Sequence, residues 1–257
     1  MKSETQIKLD EIAIMRTEEF VGRPTIIFLH DSLGCIKLWR NFPDKLGELT
    51  KNNILVYDRQ GHGDSCHFSY SKRNNYYLEE EADLLNSLLD FWQIDEAILF
   101  GHSDGGSIAL ITAGKYPEKI KGIITEGAHI FVEEVTIKGI EEAIKLYKTT
   151  DFKNKLIKYH RNKTDEMFWA WASTWTKSEF RNWNIECFLP RIECRSLIIQ
   201  GEKDEYGTLK QVNNIIKQTN GLSTQYVIPN VKHTPHKEMP ELILYKASNF
   251  IKKINDT

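Results

Sequence analysis

The amino-acid sequence predicts an α/β protein with a doubly wound, mostly parallel sheet, helices on both faces of that sheet, and a helical cap inserted between two strands. Two observations lead to this fold class. Short apolar runs alternate along the chain with longer amphipathic stretches, which is the pattern of βαβ units. Residues 131–190 interrupt that alternation, because they show helical periodicity throughout and no strand-like run.

The apolar runs predict the strands of the sheet. They comprise residues 25–30, 54–58, 97–102, 122–126, 196–201 and 224–228. Each run is compact and apolar, as expected for a strand that is covered by helices on both faces. We also expect residues 7–16 to add antiparallel strands at one edge of the sheet.

The amphipathic stretches predict the helices that flank the sheet. They comprise residues 36–49, 78–92, 105–115, 208–219 and 241–253. Together with the interruption described above, they predict a core built from residues 1–130 and 191–257 and a helical cap built from residues 131–190.

Composition and charge exclude several classes of protein. The chain has 257 residues, 40% of them apolar, with 34 basic and 36 acidic side chains. A dedicated nucleic-acid-binding protein normally has a strong basic excess, and no apolar run here approaches the roughly 18 residues of a membrane helix. We therefore expect a cytoplasmic monomer or homodimer that acts on a small molecule, binds no nucleic acid and does not span a membrane.

The cysteines are expected to be free thiols, because they form no C-x-x-C pair and the polar N-terminus carries no secretory signal. A metal site at His62, Cys66 and His67 is an alternative use of these residue types. Adjacent side chains seldom converge on one ion, however, and no distant partner pair is visible. The sequence therefore predicts neither a metal nor an organic cofactor.

One motif indicates chemistry. The segment Gly101-His102-Ser103-Asp104-Gly105 is a G-x-S-x-G sequence that follows a predicted strand and precedes a predicted helix. In this context the chain turns sharply, the two glycines make room for the turn, and the serine hydroxyl is presented at the tip of the sheet beside a helix N-terminus. Ser103 is the candidate nucleophile. The alternative is a serine that caps a helix next to a tight turn.

A serine nucleophile needs a base to remove its proton and an acid to orient that base. His233 lies in the loop after the last predicted strand, where this motif class keeps its base, and His236 is its competitor. Asp204 follows the strand at residues 196–201 and is the candidate acid. Glu126, at the end of an earlier strand, is the rival acid.

The tetrahedral intermediate formed on a serine also needs two amide donors. We expect one from the backbone N–H of Asp104, directly after the nucleophile, and the other from the backbone N–H of Ser32 in the loop after the first long strand. The neighbouring Asp31 carboxylate would oppose negative charge at that place, so we expect it to point away.

Tryptophans concentrate in the predicted cap. Phe168, Trp171 and Trp175 are three and then four residues apart and share a helix face. Trp169, Trp171 and Trp175 are candidates for an apolar substrate pocket. A stripe that packs the cap onto the core is the alternative, because pockets and packing stripes use the same residue types.

Taken together, these motifs resemble the α/β-hydrolase superfamily, specifically its small, capped, esterase-like members. The resemblance extends over nearly the whole chain and rests on five motifs in the expected order: FLHDSLGC, YDRQGHGDS, GHSDGG, IIQGEKDEYGT and HTPHKEMPE. It implies a doubly wound sheet, a helical cap and Ser103, Asp204 and His233 as the catalytic triad. The chain departs from many relatives at Asp31, where glycine is common, and at Gln60, where arginine is frequent.

The function implied by the resemblance is that of a serine hydrolase that cleaves small carboxylic esters or thioesters through an acyl-enzyme intermediate. Serine at position 103 sets the chain apart from epoxide hydrolases and haloalkane dehalogenases, which use an aspartate nucleophile. Two alternatives stay open, because fold does not fix function. One is a cofactor-free perhydrolase or lyase with the same triad, and the other is a non-catalytic small-molecule receptor.

Overall fold

The computed structural model describes residues 9–69 and 73–256. Seven strands in these ranges form a single sheet: β1 (Ile14–Arg16), β2 (Thr25–Leu29), β3 (Ile54–Tyr57), β4 (Ala97–His102), β5 (Ile120–Glu126), β6 (Arg195–Gly201) and β7 (Ser223–Ile228). Their order across the sheet is β1-β3-β2-β4-β5-β6-β7. Only β1 runs antiparallel to its neighbour, and the other pairs are parallel. The predicted α/β fold with a mostly parallel sheet is confirmed.

Helices cover both faces of the sheet. In chain order they are α1 (Phe42–Thr50), α2 (Tyr77–Phe91), α3 (Asp104–Lys115), α4 (Glu134–Thr149), α5 (Phe152–His160), α6 (Thr164–Thr176), α7 (Leu209–Gln218), α8 (Pro235–Glu238) and α9 (Pro240–Asn255). The carboxyl ends of the parallel strands, and hence the loops that follow them, meet at one edge of the sheet.

Two predicted elements differ from the structure. The helix expected over residues 36–49 is broken, because Arg40 has a φ of 54° and this left-handed conformation separates a short 3-10 turn (Ile36–Trp39) from α1. The sequence predicts antiparallel edge strands over residues 7–16, and β1 is the strand that forms there. Residues 7 and 8 lie outside the described part of the chain.

The alternation of side chains along each strand divides the core into two layers. Ile27 and Leu29 of β2 pack on the side of α2 and α3, whereas Ile26 and Phe28 pack on the side of α1 and α9. Successive strand residues point to opposite faces of a sheet, so a continuous apolar run supplies both layers. This double burial fixes the strand ends from which the loops of the site extend.

A helical segment (residues 131–190) connects β5 to β6 and contains α4, α5 and α6. Its two ends are joined by an isolated antiparallel bridge between Phe131 and Asn184. Its other secondary structure is helical, as the periodicity of the sequence predicts. Every helix within residues 9–69 and 73–256 is too short or too polar to traverse a lipid bilayer.

Buried side chains hold this helical segment to the core. The His160 ring accepts a hydrogen bond from the Gly63 N–H at 3.0 Å and donates one to the Leu33 carbonyl at 3.0 Å. The Lys163 ammonium, also buried, donates to the His62 carbonyl at 3.3 Å. These contacts join the segment to the loops that follow β2 and β3.

Candidate active site

Ser103 lies in the sharp turn between β4 and α3, with φ 54° and ψ −118°. A non-glycine residue in this conformation carries strain, on the order of 1–3 kcal/mol. A Cβ atom at Gly101 would overlap the Gly105 carbonyl, and one at Gly105 would overlap the Leu29 carbonyl. The Ser103 N–H donates to the Glu126 carbonyl at 2.8 Å. The turn therefore requires both glycines of the motif.

A histidine and a carboxylate lie together at the same edge of the sheet. The Nδ1 atom of His233 is 2.9 Å from both carboxylate oxygens of Asp204. Asp204 Oδ1 also accepts backbone N–H bonds from Tyr206 at 2.9 Å and Gly207 at 3.3 Å. Because Nδ1 donates to the carboxylate, the neutral ring keeps its lone pair on Nε2, where it can accept a proton.

The pKa values of this pair shift in opposite directions. Burial alone would lower the pKa of His233, but the Asp204 carboxylate outweighs burial and raises it above its usual value. Burial alone would raise the pKa of Asp204, but attraction to His233 lowers it. Both shifts are those expected for a carboxylate that stabilises an imidazolium.

A cavity of about 690 Å³ opens beside Ser103 and His233, and both residues line it. Asp204 lies behind the His233 ring, at its Nδ1 atom. Ser32 and Asp104, whose backbone N–H groups the sequence analysis selected as amide donors, line the same cavity. A volume of this size suits a small organic ligand.

Asp31 also lines the cavity, but both of its carboxylate oxygens are engaged. Oδ1 accepts the Leu33 N–H at 2.8 Å, and Oδ2 lies 3.2 Å from His102 Nδ1. Burial alone would raise the pKa of Asp31, but the hydrogen bond and charge of His102 hold it well below its usual value. The negative charge is thus directed toward His102 and Leu33.

The two rival residues of the sequence analysis form a pair of their own. His236 Nδ1 lies 2.6 Å from Glu126 Oε2, and both side chains are buried. Burial raises the pKa of Glu126 to about 7 and lowers that of His236 to about 3. A histidine with so low a pKa, bound to a buried carboxyl group, is a poor general base.

One of the three tryptophans that the sequence predicts for the pocket does not line this cavity. Trp171 and Trp175 line the cavity, but Trp169 packs against Phe168 and lies with its ring 5.3 Å from the Lys148 ammonium. Trp169 lies two positions before Trp171, and this spacing places the Trp169 side chain on roughly the opposite face of α6.

Comparison with protein families gives a match to the α/β-hydrolase fold over residues 24–184, more than half of the chain. The chain belongs to the α/β-hydrolase family. Its G-x-S-x-G turn between a strand and a helix, in a mostly parallel sheet, is a feature of this fold.

Individual relatives of this α/β-hydrolase are enzymes. The serine hydrolase BPHL of Mus musculus is 26% identical over 221 residues, which cover 84% of this chain and 75% of that protein. A pimeloyl-(acyl-carrier protein) methyl ester esterase of Wigglesworthia glossinidia brevipalpis is 25% identical over 259 residues, which cover 91% of this chain and 96% of that protein.

Solved structures share the fold of this α/β-hydrolase. A thermophilic esterase from Thermogutta terrifontis superposes with a TM-score of 0.69 at 19% identity, covering 95% of this chain and 93% of that one. The α/β-hydrolase MGS-M2, from a Medee basin deep-sea metagenome library, gives a TM-score of 0.75 at 19% identity, covering 93% of each chain.

Sequence reasoning missed a glycine that makes room for the histidine of this α/β-hydrolase. Gly127 has a φ of +57°, and a Cβ atom added there would lie 2.8 Å from His233 Cε1 and 3.2 Å from Asp204 Oδ2. A glycine directly after the end of a strand that faces the site is the signal that could have revealed it.

Two of the side chains considered for a metal site, His62 and His67, bond to other groups. Among residues 9–69 and 73–256, no three His, Cys, Asp or Glu side chains are placed to share a metal ion. The His62 ring bonds to the Ser32 carbonyl at 3.1 Å, and the His67 ring bonds to the Glu166 carboxylate at 3.1 Å.

Replacing Gly127 by alanine is expected to destabilise the protein. The new Cβ must displace the His233 ring, and overpacking of this kind typically costs about 1–3 kcal/mol in addition to the cost of a left-handed φ. Urea unfolding of Gly127→Ala measures the loss of free energy of unfolding.

The matched control for that substitution is Gly22→Ala. Gly22 also has a positive φ, +73°, but no atom lies within 4 Å of an added Cβ. Gly22→Ala therefore measures only the free-energy cost of an alanine at a left-handed φ. Equal destabilisation by the two substitutions would show that the Gly127 site tolerates a side chain.

Proposed function

We propose that this α/β-hydrolase is a serine hydrolase that cleaves small carboxylic esters or thioesters through an acyl-enzyme intermediate. The observation that carries the proposal is the position of Ser103. Its hydroxyl belongs to a strained turn that lines the same cavity as His233, and His233 is bonded to a buried carboxylate. These are the parts that nucleophilic catalysis by a serine needs.

In the proposed reaction, His233 Nε2 takes the Ser103 proton while Oγ attacks the acyl carbon. The resulting oxyanion accepts hydrogen bonds from the backbone N–H groups of Ser32 and Asp104. His233 then protonates the departing alkoxide or thiolate. Water, deprotonated by the same ring, attacks the acyl-enzyme and releases the acid and free Ser103. The Asp204 carboxylate stabilises the imidazolium throughout, and these steps need no cofactor.

The substrate preference is proposed from the lining of the cavity. Apolar side chains from the helical segment, among them Ile140, Leu156 and Trp171, line the cavity together with Ser103 and residues of the strand-end loops. We propose that this segment, residues 131–190, is a cap on a core formed by residues 1–130 and 191–257. An apolar acyl or alcohol group would lie beneath it.

The cellular setting is part of the same proposal. Residues of a single chain supply all the groups named above, so a monomer or homodimer suffices. All four cysteines are free thiols, which is usual in a reducing compartment such as the cytoplasm.

A fluorophosphonate probe tests the nucleophile. The folded wild-type protein is expected to be labelled at Ser103, because an activated serine attacks phosphorus, whereas Ser103→Ala and heat-unfolded protein should stay unlabelled. Mass spectrometry locates the adduct. A folded wild-type sample that resists the probe would favour a small-molecule receptor, and labelling without hydrolysis of p-nitrophenyl esters or acyl thioesters would favour a perhydrolase or lyase.

Substitution of the two buried acids tests the choice of acid. Asp204→Asn is expected to lower kcat by roughly 10²–10⁴, because the neutral amide neither stabilises the imidazolium nor keeps the correct tautomer. Glu126→Gln is the matched control, with a much smaller effect, because Glu126 bonds to His236. The reverse ranking would assign the acid to Glu126.

The pH dependence of kcat/KM tests the state of the base. His233 must be neutral to accept a proton, and Asp204 raises its pKa above the ordinary value of 6.5. Activity should therefore rise with pH and reach its midpoint above 6.5, and in Asp204→Asn the midpoint should fall. A wild-type midpoint below 6.5 would contradict the assigned pair.

A further inference from the structure

The peptide unit between Asp31 and Ser32 carries the Ser32 N–H, one of the two proposed oxyanion donors. Its carbonyl oxygen, that of Asp31, accepts hydrogen bonds from His30 Nδ1 at 2.7 Å and from Arg59 Nη2 at 2.9 Å. A trans peptide is planar, with its N–H and C=O on opposite sides. Two donors on the carbonyl therefore fix the direction of the Ser32 N–H. They also polarise the peptide unit, which makes the Ser32 N–H a stronger hydrogen-bond donor.

The other proposed donor belongs to Asp104, whose side chain is also held in place. Asp104 begins α3 directly after Ser103. Its Oδ2 atom accepts the Tyr77 hydroxyl at 3.0 Å and lies 3.8 Å from Arg59 Nη1. Both charged side chains are buried, with side-chain exposures of 0% for Arg59 and 1% for Asp104. One guanidinium therefore contacts the peptide unit that contains the Ser32 N–H and the side chain of Asp104, which carries the other proposed donor.

The charge on Asp104 makes these contacts necessary. An oxyanion that forms at the Asp104 N–H would be repelled by the carboxylate of the same residue, and low polarity would strengthen that repulsion. The Arg59 cation and the Tyr77 hydroxyl compensate the carboxylate and hold it in place. Without them, the negative charge would oppose the transition state.

We propose that Arg59 and Tyr77 are positioning residues that orient the two oxyanion-binding amides and neutralise the Asp104 charge beside them. The inference rests on the proposed function, since it assigns a role within that reaction. Neither side chain lines the cavity, so both act through Asp31 and Asp104 and not by contact with substrate.

The surroundings of the two residues support this role. The Tyr77 hydroxyl accepts the Trp175 indole N–H at 2.7 Å, so its own proton is directed to Asp104, and burial raises its pKa and keeps that proton in place. Arg59 Nε and Nη1 have no hydrogen-bond acceptor among the side chains and backbone of residues 9–69 and 73–256. Burial of a charged guanidinium costs free energy unless an opposite charge compensates it, and here the Asp104 carboxylate lies 3.8 Å away.

The test compares Tyr77→Phe with Tyr147→Phe. Tyr147 also donates its hydroxyl to a carboxylate, that of Asp165 at 2.7 Å, but within the helical segment and away from Ser103. We expect Tyr77→Phe to lower kcat for a p-nitrophenyl ester about 10-fold with KM changed less than about threefold, because the lost bond acts in the transition state. Tyr147→Phe should keep both values.

A trifluoromethyl ketone distinguishes positioning from general damage. It forms a hemiketal oxyanion on the nucleophilic serine, so its affinity should fall in Tyr77→Phe by the same factor as kcat/KM. The midpoint of the pH profile should stay at the wild-type value, because the His233–Asp204 pair is untouched. Arg59→Lys keeps the charge but loses the planar fork, and should lower inhibitor affinity more, about 100-fold.

Wild-type affinity for the trifluoromethyl ketone in folded Tyr77→Phe and Arg59→Lys would overturn the inference. A shifted pH midpoint in Tyr77→Phe would also overturn it, since the effect would then act through His233. If one of the two variants fails to fold, the other decides alone, and wild-type affinity for the inhibitor in that folded variant would overturn the inference. Failure of the wild-type protein itself to react with fluorophosphonate would instead reject the proposed function.

Discussion

Ser103 has a φ of 54°, and an L-residue stays in that region only when its surroundings hold it there. The surroundings in question are main-chain atoms. The Glu126 carbonyl accepts the Ser103 N–H, and glycines on either side let the Gly105 and Leu29 carbonyls approach closely. Because α3 is buried along nearly its whole length, its packing supplies the free energy that offsets the strain. The position of the hydroxyl is thus decided by the core, and the cavity is arranged around it.

Three histidine–carboxylate pairs lie around this turn, and their different environments separate their roles. In the pair of His233 and Asp204, His233 lines the cavity, and the Asp204 carboxylate raises the pKa of the His233 ring and so favours the imidazolium. The pair of His236 and Glu126 is buried among aromatic rings, including that of Trp39 at 4.6 Å, and burial there favours neutral groups. The Asp31 carboxylate bonds to His102, whose other ring nitrogen lies 2.8 Å from the His233 carbonyl. Similar residue types therefore form the proposed base with its carboxylate, a neutral pair, and a support for the loop that carries His233.

The sequence predicts well what depends on local pattern and chain order. The strands follow from compact apolar runs, and the Ser103 turn and its partners follow from a motif with a strand before it and a helix after it. Contacts between distant segments are not encoded in this way. The pairing of His236 with Glu126 joins positions 110 apart, and that of Tyr77 with Asp104 joins positions 27 apart. The orientation of Trp169 likewise depends on which face of α6 the core covers. The chemistry of these side chains does not by itself show which of them contact each other in the fold.

The bonds of His160 and Lys163 to the main chain of the core bear on how this family could be engineered. Both side chains bind backbone groups, namely the Gly63 amide and the Leu33 and His62 carbonyls, so any core with the same loop course offers the same partners. A chimaera that receives a foreign helical segment would leave these buried groups unpaired unless the graft brings an equivalent imidazole and ammonium. A graft of a foreign helical segment must therefore keep the end of α5, with His160, and the residues up to Lys163 that follow it.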